Sequence, residues 1–167
     1  MNHRIDVAKT ERPGAGILDH IAIAVTNLEH SIELFTGLFG LEVVERRSTR
    51  GTSTGMISAV LDGSGVPIVL VQGTEPSSQV SQFVAIHGPG VQHVAFRVDD
   101  IAKKVSEFSE FDLHPSFPII EGAGIRQVFI DGRAMGPRIE LIERQGGTFN
   151  DASIRQLFLL MEQRNLV

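Results

Sequence analysis

The chain has 167 residues, 42% of them hydrophobic, with 15 Lys+Arg against 20 Asp+Glu and a net charge of −5. Mild acidity offers no general attraction for nucleic acid, and the lack of cysteine excludes disulfides, thiolate-bound zinc and a cysteine nucleophile. No apolar run reaches the ~18 residues that span a bilayer, so the expectation is a soluble, cytoplasmic, globular protein with neither nucleic-acid nor membrane partners.

Residues 1–16, MNHRIDVAKTERPGAG, are polar and carry no apolar signal core. They are predicted to form a flexible tail. From Leu18 the stretch LDHIAIAV alternates as a strand does, and Asn27 then caps an amphipathic helix. Three strand-like stretches follow: Leu41–Arg46, Thr54–Leu61 and Val66–Gln72. The basic cluster Glu45-Arg46-Arg47-Ser48-Thr49-Arg50 reads as a solvated turn. Gly88, Pro89 and Gly90 then set the start of VQHVAFRV, residues 91–98. Its alternation puts His93 on one face with Val91 and Ala95, and Gln92 on the other. Asp99-Asp100 caps a second helix, followed by strands at Pro118–Ile120, Ile125–Ile130 and Arg138–Glu143. A last helix is predicted from Asp151 to Arg164, with Ile154, Leu157, Phe158, Leu160 and Met161 on its apolar side.

The two halves repeat. Set 73 residues apart, His20 falls on His93, Val25 on Val98, Leu28 on Ile101 and Phe35 on Phe108. The predicted fold is α+β: two paired βαβββ modules forming a curved mixed sheet around a metal site, plus a C-terminal helix. The two-module domain is placed at 17–147, with modules at 17–75 and 90–147, and the helical segment at 148–167.

A lone histidine in a strand is usually a satisfied core residue. Two at equivalent places of a repeated sheet are brought together by pseudo-twofold pairing of the modules. Glu140, between Ile139 and Leu141, faces the other way from them, and a carboxylate inside a sheet is costly unless paired or metal-bound. The matching position in the first module is Val69. His20, His93 and Glu140 are therefore expected to hold one divalent metal with open positions, the two-histidine, one-carboxylate set of non-haem Fe(II) enzymes. Co(II), Mn(II) or Zn(II) suits the same ligands. His3, His30, His87 and His114 have no repeat partner and read as surface histidines.

These residues resemble the vicinal oxygen chelate superfamily. The stretches LDHIAIAV, GTSTGMISAVL, SSQVSQF, GPGVQHVAFRVDDI, RQVFI, IELIER and GGTFNDASIRQLF are similar to the catalytic C-terminal half of 4-hydroxyphenylpyruvate dioxygenases. The resemblance implies Fe(II) on His20, His93 and Glu140, catalytic roles for Gln79 and Gln127, and a substrate pocket lined by Ser58, Gln79, Gln127 and Phe129. At the positions of two pocket phenylalanines stand Arg138 and Ile154, so the aromatic slot keeps one wall, and Arg138 offers an anion partner instead. The activity implied is oxidative decarboxylation of a 2-oxo acid by O₂, and the missing aromatic wall argues against 4-hydroxyphenylpyruvate as the substrate. SSQVSQFVAIHGPGVQHVAFRVDDI is similar also to methylmalonyl-CoA epimerases, whose additional metal ligand is Val69 here. Drug-sequestering resistance proteins are a more distant likeness. Both modules lie in one chain, so dimerisation is not needed for the metal, although a homodimer is the expected assembly.

Overall fold

Alternating apolar patterns and capped helices fold as the repeat predicts. The computed structural model describes residues 16–63, 65–122, 124–131, 136–146 and 151–164. The predicted tail, apart from Gly16, and His3 lie outside the described residues.

The first module runs β1 (Ile17–Ala24), α1 (Leu28–Phe39), β2 (Glu42–Arg50), β3 (Gly55–Asp62) and β4 (Ile68–Gly73). A helix, α2 (Gln79–His87), links it to the second module. That module comprises β5 (Gly90–Arg97), α3 (Ile101–Ser109), the two-residue β6 (His114–Pro115), β7 (Ile120–Gly122), β8 (Ile125–Asp131) and β9 (Arg138–Arg144). The C-terminal helix is α4 (Asp151–Gln163). The strands form one mixed, curved and unclosed sheet in the order β2-β3-β4-β1-β5-β9-β8-β6, with β7 beside β8.

Helix starts are fixed by the same chemistry in both modules. The Asn27 carboxamide oxygen accepts from the His30 amide at 3.0 Å, and an Asp100 carboxylate oxygen accepts from the Lys103 amide at 2.9 Å. Helix α1 ends on Gly40 at φ +68°, a left-handed cap that glycine adopts without a side-chain penalty.

β1 and β5 pair antiparallel at the junction of the modules, and each pairs in parallel with the last strand of its own module, β4 or β9. The register makes the modules comparable residue by residue. Ala22 on β1 pairs with Val69, and its repeat partner Ala95 on β5 pairs with Glu140. Val69 is thus the first module's counterpart of Glu140, as the sequence matching gave.

Strand alternation separates two faces. On β3 and β4, Ala59, Leu61 and Leu70 pack outward with Ile32 and Leu28 of α1. Ser58, Val60, Val69 and Val71 point to the inner face and line a cavity. In the second module Ile101, Val128, Ile139 and Leu141 form the outer core, while Met161 of α4 lines the cavity on the inner face.

The basic cluster 45–50 is not a turn. β2 continues through it to Arg50, and a register shift between Val43 and Glu45 turns Glu45 and Arg47 to the inner face. Arg46 stays outside, paired with Glu29 of α1.

Candidate functional site

Three strands bring three ligating side chains to one point. The Nε2 atoms of His20 (β1) and His93 (β5) are 3.2 Å apart, and each lies 3.4 Å from Oε2 of Glu140 (β9). A near-equilateral triangle of that size suits ligand atoms about 2.0–2.2 Å from one shared ion. The second oxygen of Glu140 is buried with no hydrogen-bond partner. Burial pushes the Glu140 carboxyl up to about 7. Burial, then the charges of His20 and Arg138, lowers His93 well below the usual imidazole range. A buried acid with a bare oxygen, beside two imidazole nitrogens aimed at it, is a donor set that fits a divalent cation. The chain therefore has a site that can hold a metal.

The triad opens into a cavity of ≈ 120 Å³. Met56, Val60, Val69, Val71 and Val80 make its sheet and α2 side. Ile154, Leu157, Phe158 and Met161 of α4 close the other. Phe129 lies between, its ring centroid 5.1 Å from that of His93. The polar groups in the wall are few: Ser58, Gln79 and Gln92, with Glu45 and Arg47 paired to each other. The side-chain oxygen of Gln79 is buried without a protein partner.

Of the residues anticipated from the sequence, Ser58, Gln79, Phe129 and Ile154 line this cavity with the triad. Gln127 and Arg138 do not. Gln127 is buried under α4, its amide reaching the Ser153 carbonyl at 3.4 Å, and Arg138 stacks its guanidinium 5.6 Å from the Phe129 ring centre.

Gln92 corrects a simple reading of strand alternation. The β1–β5 ladder pairs Ala22 with His93 but Ile23 with Val91, so Gln92 is an extra residue. It faces the cavity with His93, not away from it, and its Oε1 is 3.1 Å from His93 Nδ1. Asp19, unassigned from the sequence, touches His20, and Glu45 and Arg47, expected in a solvated turn, line the cavity. The signal for Asp19 and Gln92 was present: each polar residue stands directly before a repeated histidine.

α4 is fastened at both ends. Asp151 pairs with Arg47 at 2.8 Å. Near the other end, the Glu162 carboxylate accepts from the amides of Thr52 and Thr54 at 2.7 and 2.8 Å and from the Thr54 hydroxyl at 2.6 Å. Lifting the helix would expose Phe158 and Met161, now 1% and 5% accessible, at about 3–6 kcal/mol for the two. α4 is a wall of the resting site.

The superfamily pattern described as Glyoxalase/Bleomycin resistance protein/Dioxygenase matches residues 19–129. The chain belongs to this superfamily. It is 28% identical over 135 residues to the mitochondrial methylmalonyl-CoA epimerase of Dictyostelium discoideum, covering 78% of this chain and 80% of that one. It is 26% identical over 98 residues to a 4-hydroxyphenylpyruvate dioxygenase of Legionella pneumophila, covering 56% of this chain but 28% of the dioxygenase. Among solved structures, a mutant 4-hydroxymandelate synthase from Streptomyces coelicolor superposes with a TM-score of 0.80 at 22% identity, over 93% of this chain and 56% of that one. The superfamily thus includes both dioxygenases and epimerases, and the relatives are enzymes acting on small molecules. Among the described residues no helix is long and apolar enough to cross a membrane.

Proposed function

We propose that the protein is a non-haem Fe(II) dioxygenase acting on a 2-oxo acid. The observation that carries this reading is Val69 at the register position of Glu140. Two histidines and one carboxylate are the donor set of non-haem Fe(II) oxygenases, which would leave room at the ion for a 2-oxo acid and O₂. Fe(II) held there would supply the centre for oxidative decarboxylation; Co(II), Mn(II) or Zn(II) would fit the same donors without that chemistry.

The chain's own residues bind, orient and dry the substrate. The Gln79 oxygen is placed to accept from a substrate hydroxyl, and the Ser58 hydroxyl to donate to or accept from a polar group. Phe129 supplies one flat wall, and Ile154 and Leu157 face the substituent where a second ring would stand. A cavity of ≈ 120 Å³ is close to the about 150 Å³ that takes a benzene-sized group, so a small apolar substituent fits best. Gln127 and Arg138 act from behind, through α4 and the Phe129 ring. All three ligands come from one chain, so a homodimer, if formed, leaves the centre intact.

O₂ uptake by Fe(II)-loaded protein across a panel of aliphatic and aromatic 2-oxo acids tests the reading. Uptake with one acid that vanishes in Glu140→Ala supports it; metal-loaded protein inert toward every acid sinks it.

A second reading is a metal-dependent epimerase. Its support is Glu45, a carboxylate in the cavity wall of the type that could take an α-proton, together with the span of the Dictyostelium relative. Deuterium exchange into methylmalonyl-CoA, absent from Glu45→Gln, would favour it.

A further inference from the structure

Both rings aimed at the centre are held from behind by the residue that precedes them. Asp19 Oδ1 lies 3.0 Å from His20 Nδ1, and Gln92 Oε1 lies 3.1 Å from His93 Nδ1. Neighbours on a regular strand point to opposite faces and could not make these contacts. Here each is made possible by a one-residue register shift in the β1–β5 ladder, between Leu18 and His20 on one strand and opposite Ala22 and Ile23 on the other. The two shifts fall at equivalent places of the repeat, so the arrangement is built twice.

The acceptors determine the protons. A carboxylate only accepts, so the ring nitrogen facing Asp19 carries hydrogen and the Nε2 atom of His20 presents its lone pair to the centre. The Gln92 carbonyl oxygen does the same for His93. The two Nε2 lone pairs then meet at 3.2 Å, an opposition that a shared cation relieves.

The two supports differ in charge. Asp19 is ionic and is gripped by Arg144, whose Nε and Nη2 donate to its two oxygens at 2.9 and 2.8 Å. Arg144 comes from β9, four residues beyond Glu140, and reaches past β5 to β1. Gln92 is a neutral amide. In the first module the register position of Arg144 is taken by Gly73, so no second clamp exists there.

We infer that Asp19, clamped by Arg144, and Gln92 are positioning residues that lock His20 and His93 as Nδ1–H tautomers, and that the ionic support makes His20 the more strongly donating ligand. This rests on the metal reading of the triad. A carboxylate behind a ligating imidazole fixes its orientation and raises its basicity.

Long-range ¹⁵N–¹H spectra of the metal-free protein at pH 8 report the tautomers without any metal or turnover. Both rings are expected as Nδ1–H. Asp19→Ala should release His20 to a tautomer mixture and leave His93 unchanged, and Gln92→Ala should do the reverse. Titration with Co(II) against a competing chelator gives the second readout. Asp19→Ala should weaken binding about 10–100-fold. Asp19→Asn, which keeps an acceptor oxygen, should lose less, Gln92→Ala should lose less than Asp19→Ala, and Gln92→Glu should tighten binding. The two near-isosteric variants, Asp19→Asn and Gln92→Glu, keep the test open should either alanine variant unfold. Wild-type protein that binds no Co(II) removes the metal reading, and the spectra still decide the tautomers. Wild-type protein that binds Co(II), with unchanged tautomers and affinity in the Asp19 and Gln92 variants, overturns the positioning.

Discussion

The two modules share a scaffold and differ in what it carries. Each presents a histidine from its first strand, and each caps its helix with a side chain at the same repeat position, Asn27 or Asp100. The difference lies on the last strands. β9 offers Glu140 and Arg144 where β4 offers Val69 and Gly73. One half therefore adds a carboxylate beside the two imidazoles and the other an apolar wall. The repeat supplies the symmetric pair of imidazoles, and the two unmatched positions add a carboxylate beside them and a guanidinium that grips Asp19.

Removing the acid that distinguishes β9 should have the largest effect. Glu140→Ala is expected to weaken metal binding by more than about 100-fold, beyond the loss from any residue behind the ligands. O₂ uptake should go with it. A variant that still holds Fe(II) tightly would mean that the metal sits elsewhere.

Making β4 resemble β9 is the converse experiment. Val69→Glu places a second carboxylate at the equivalent register position, facing the same cavity. Metal should stay bound, because a ligand has been added, while O₂ uptake falls at least about tenfold as an open position is filled. Unchanged uptake at full metal occupancy would show that Val69 does not border the coordination face.

Making β9 resemble β4 sharpens the comparison through pH. In the metal-free protein the Glu140 carboxyl is raised from 4.5 to about 7 by burial. A raised acid holds its proton more tightly folded than unfolded, so its stabilising effect is full below pH 4.5 and is lost as pH climbs to about 7. His93, lowered by burial, acts in the opposite sense, losing stability as pH falls below 6.5. Glu140→Val keeps His93 and removes the acid. Denaturant melts of the two metal-free proteins should therefore diverge as pH rises from 4.5 to 7, the variant being the more stable at pH 8. Saturating metal should reverse that order. Parallel pH profiles would show that Glu140 is not desolvated in solution.

Much of this was legible because it repeats. Paired apolar positions, caps and histidines identified the modules, and matching I-V-L-V to I-E-L-I placed Val69 opposite Glu140 before any register was known. Two misreadings have separate causes. Gln92 is an extra residue in the β1–β5 ladder, so pure alternation set it on the wrong face. The charge run at 45–50 read as a turn and hid the end of β2, where an extra residue at Val44 turns Glu45 and Arg47 inward. Gln127 came from the resemblance alone. It does sit on the inner face, but α4 lies over it and takes its amide at the Ser153 carbonyl, a long-range contact that no local pattern encodes.

The smallest effect tests the shared scaffold itself. Asn27→Ala and Asp100→Ala each remove a side-chain acceptor from the first turn of a helix that packs on the outer face of its module. Each should cost about 0.5–2 kcal/mol of unfolding free energy. Neither touches the cavity, so metal affinity should stay within about twofold of wild type. The two losses should be alike, because the caps occupy one repeat position and accept from the same relative amide, three residues on. Asp100 should exceed Asn27 slightly at low salt, since a charged acceptor also favours the positive end of the helix. A much larger loss at one cap, or a metal affinity that moved with either, would mean that the modules are not independent supports for a common centre and that strain at one helix is felt at the ligands.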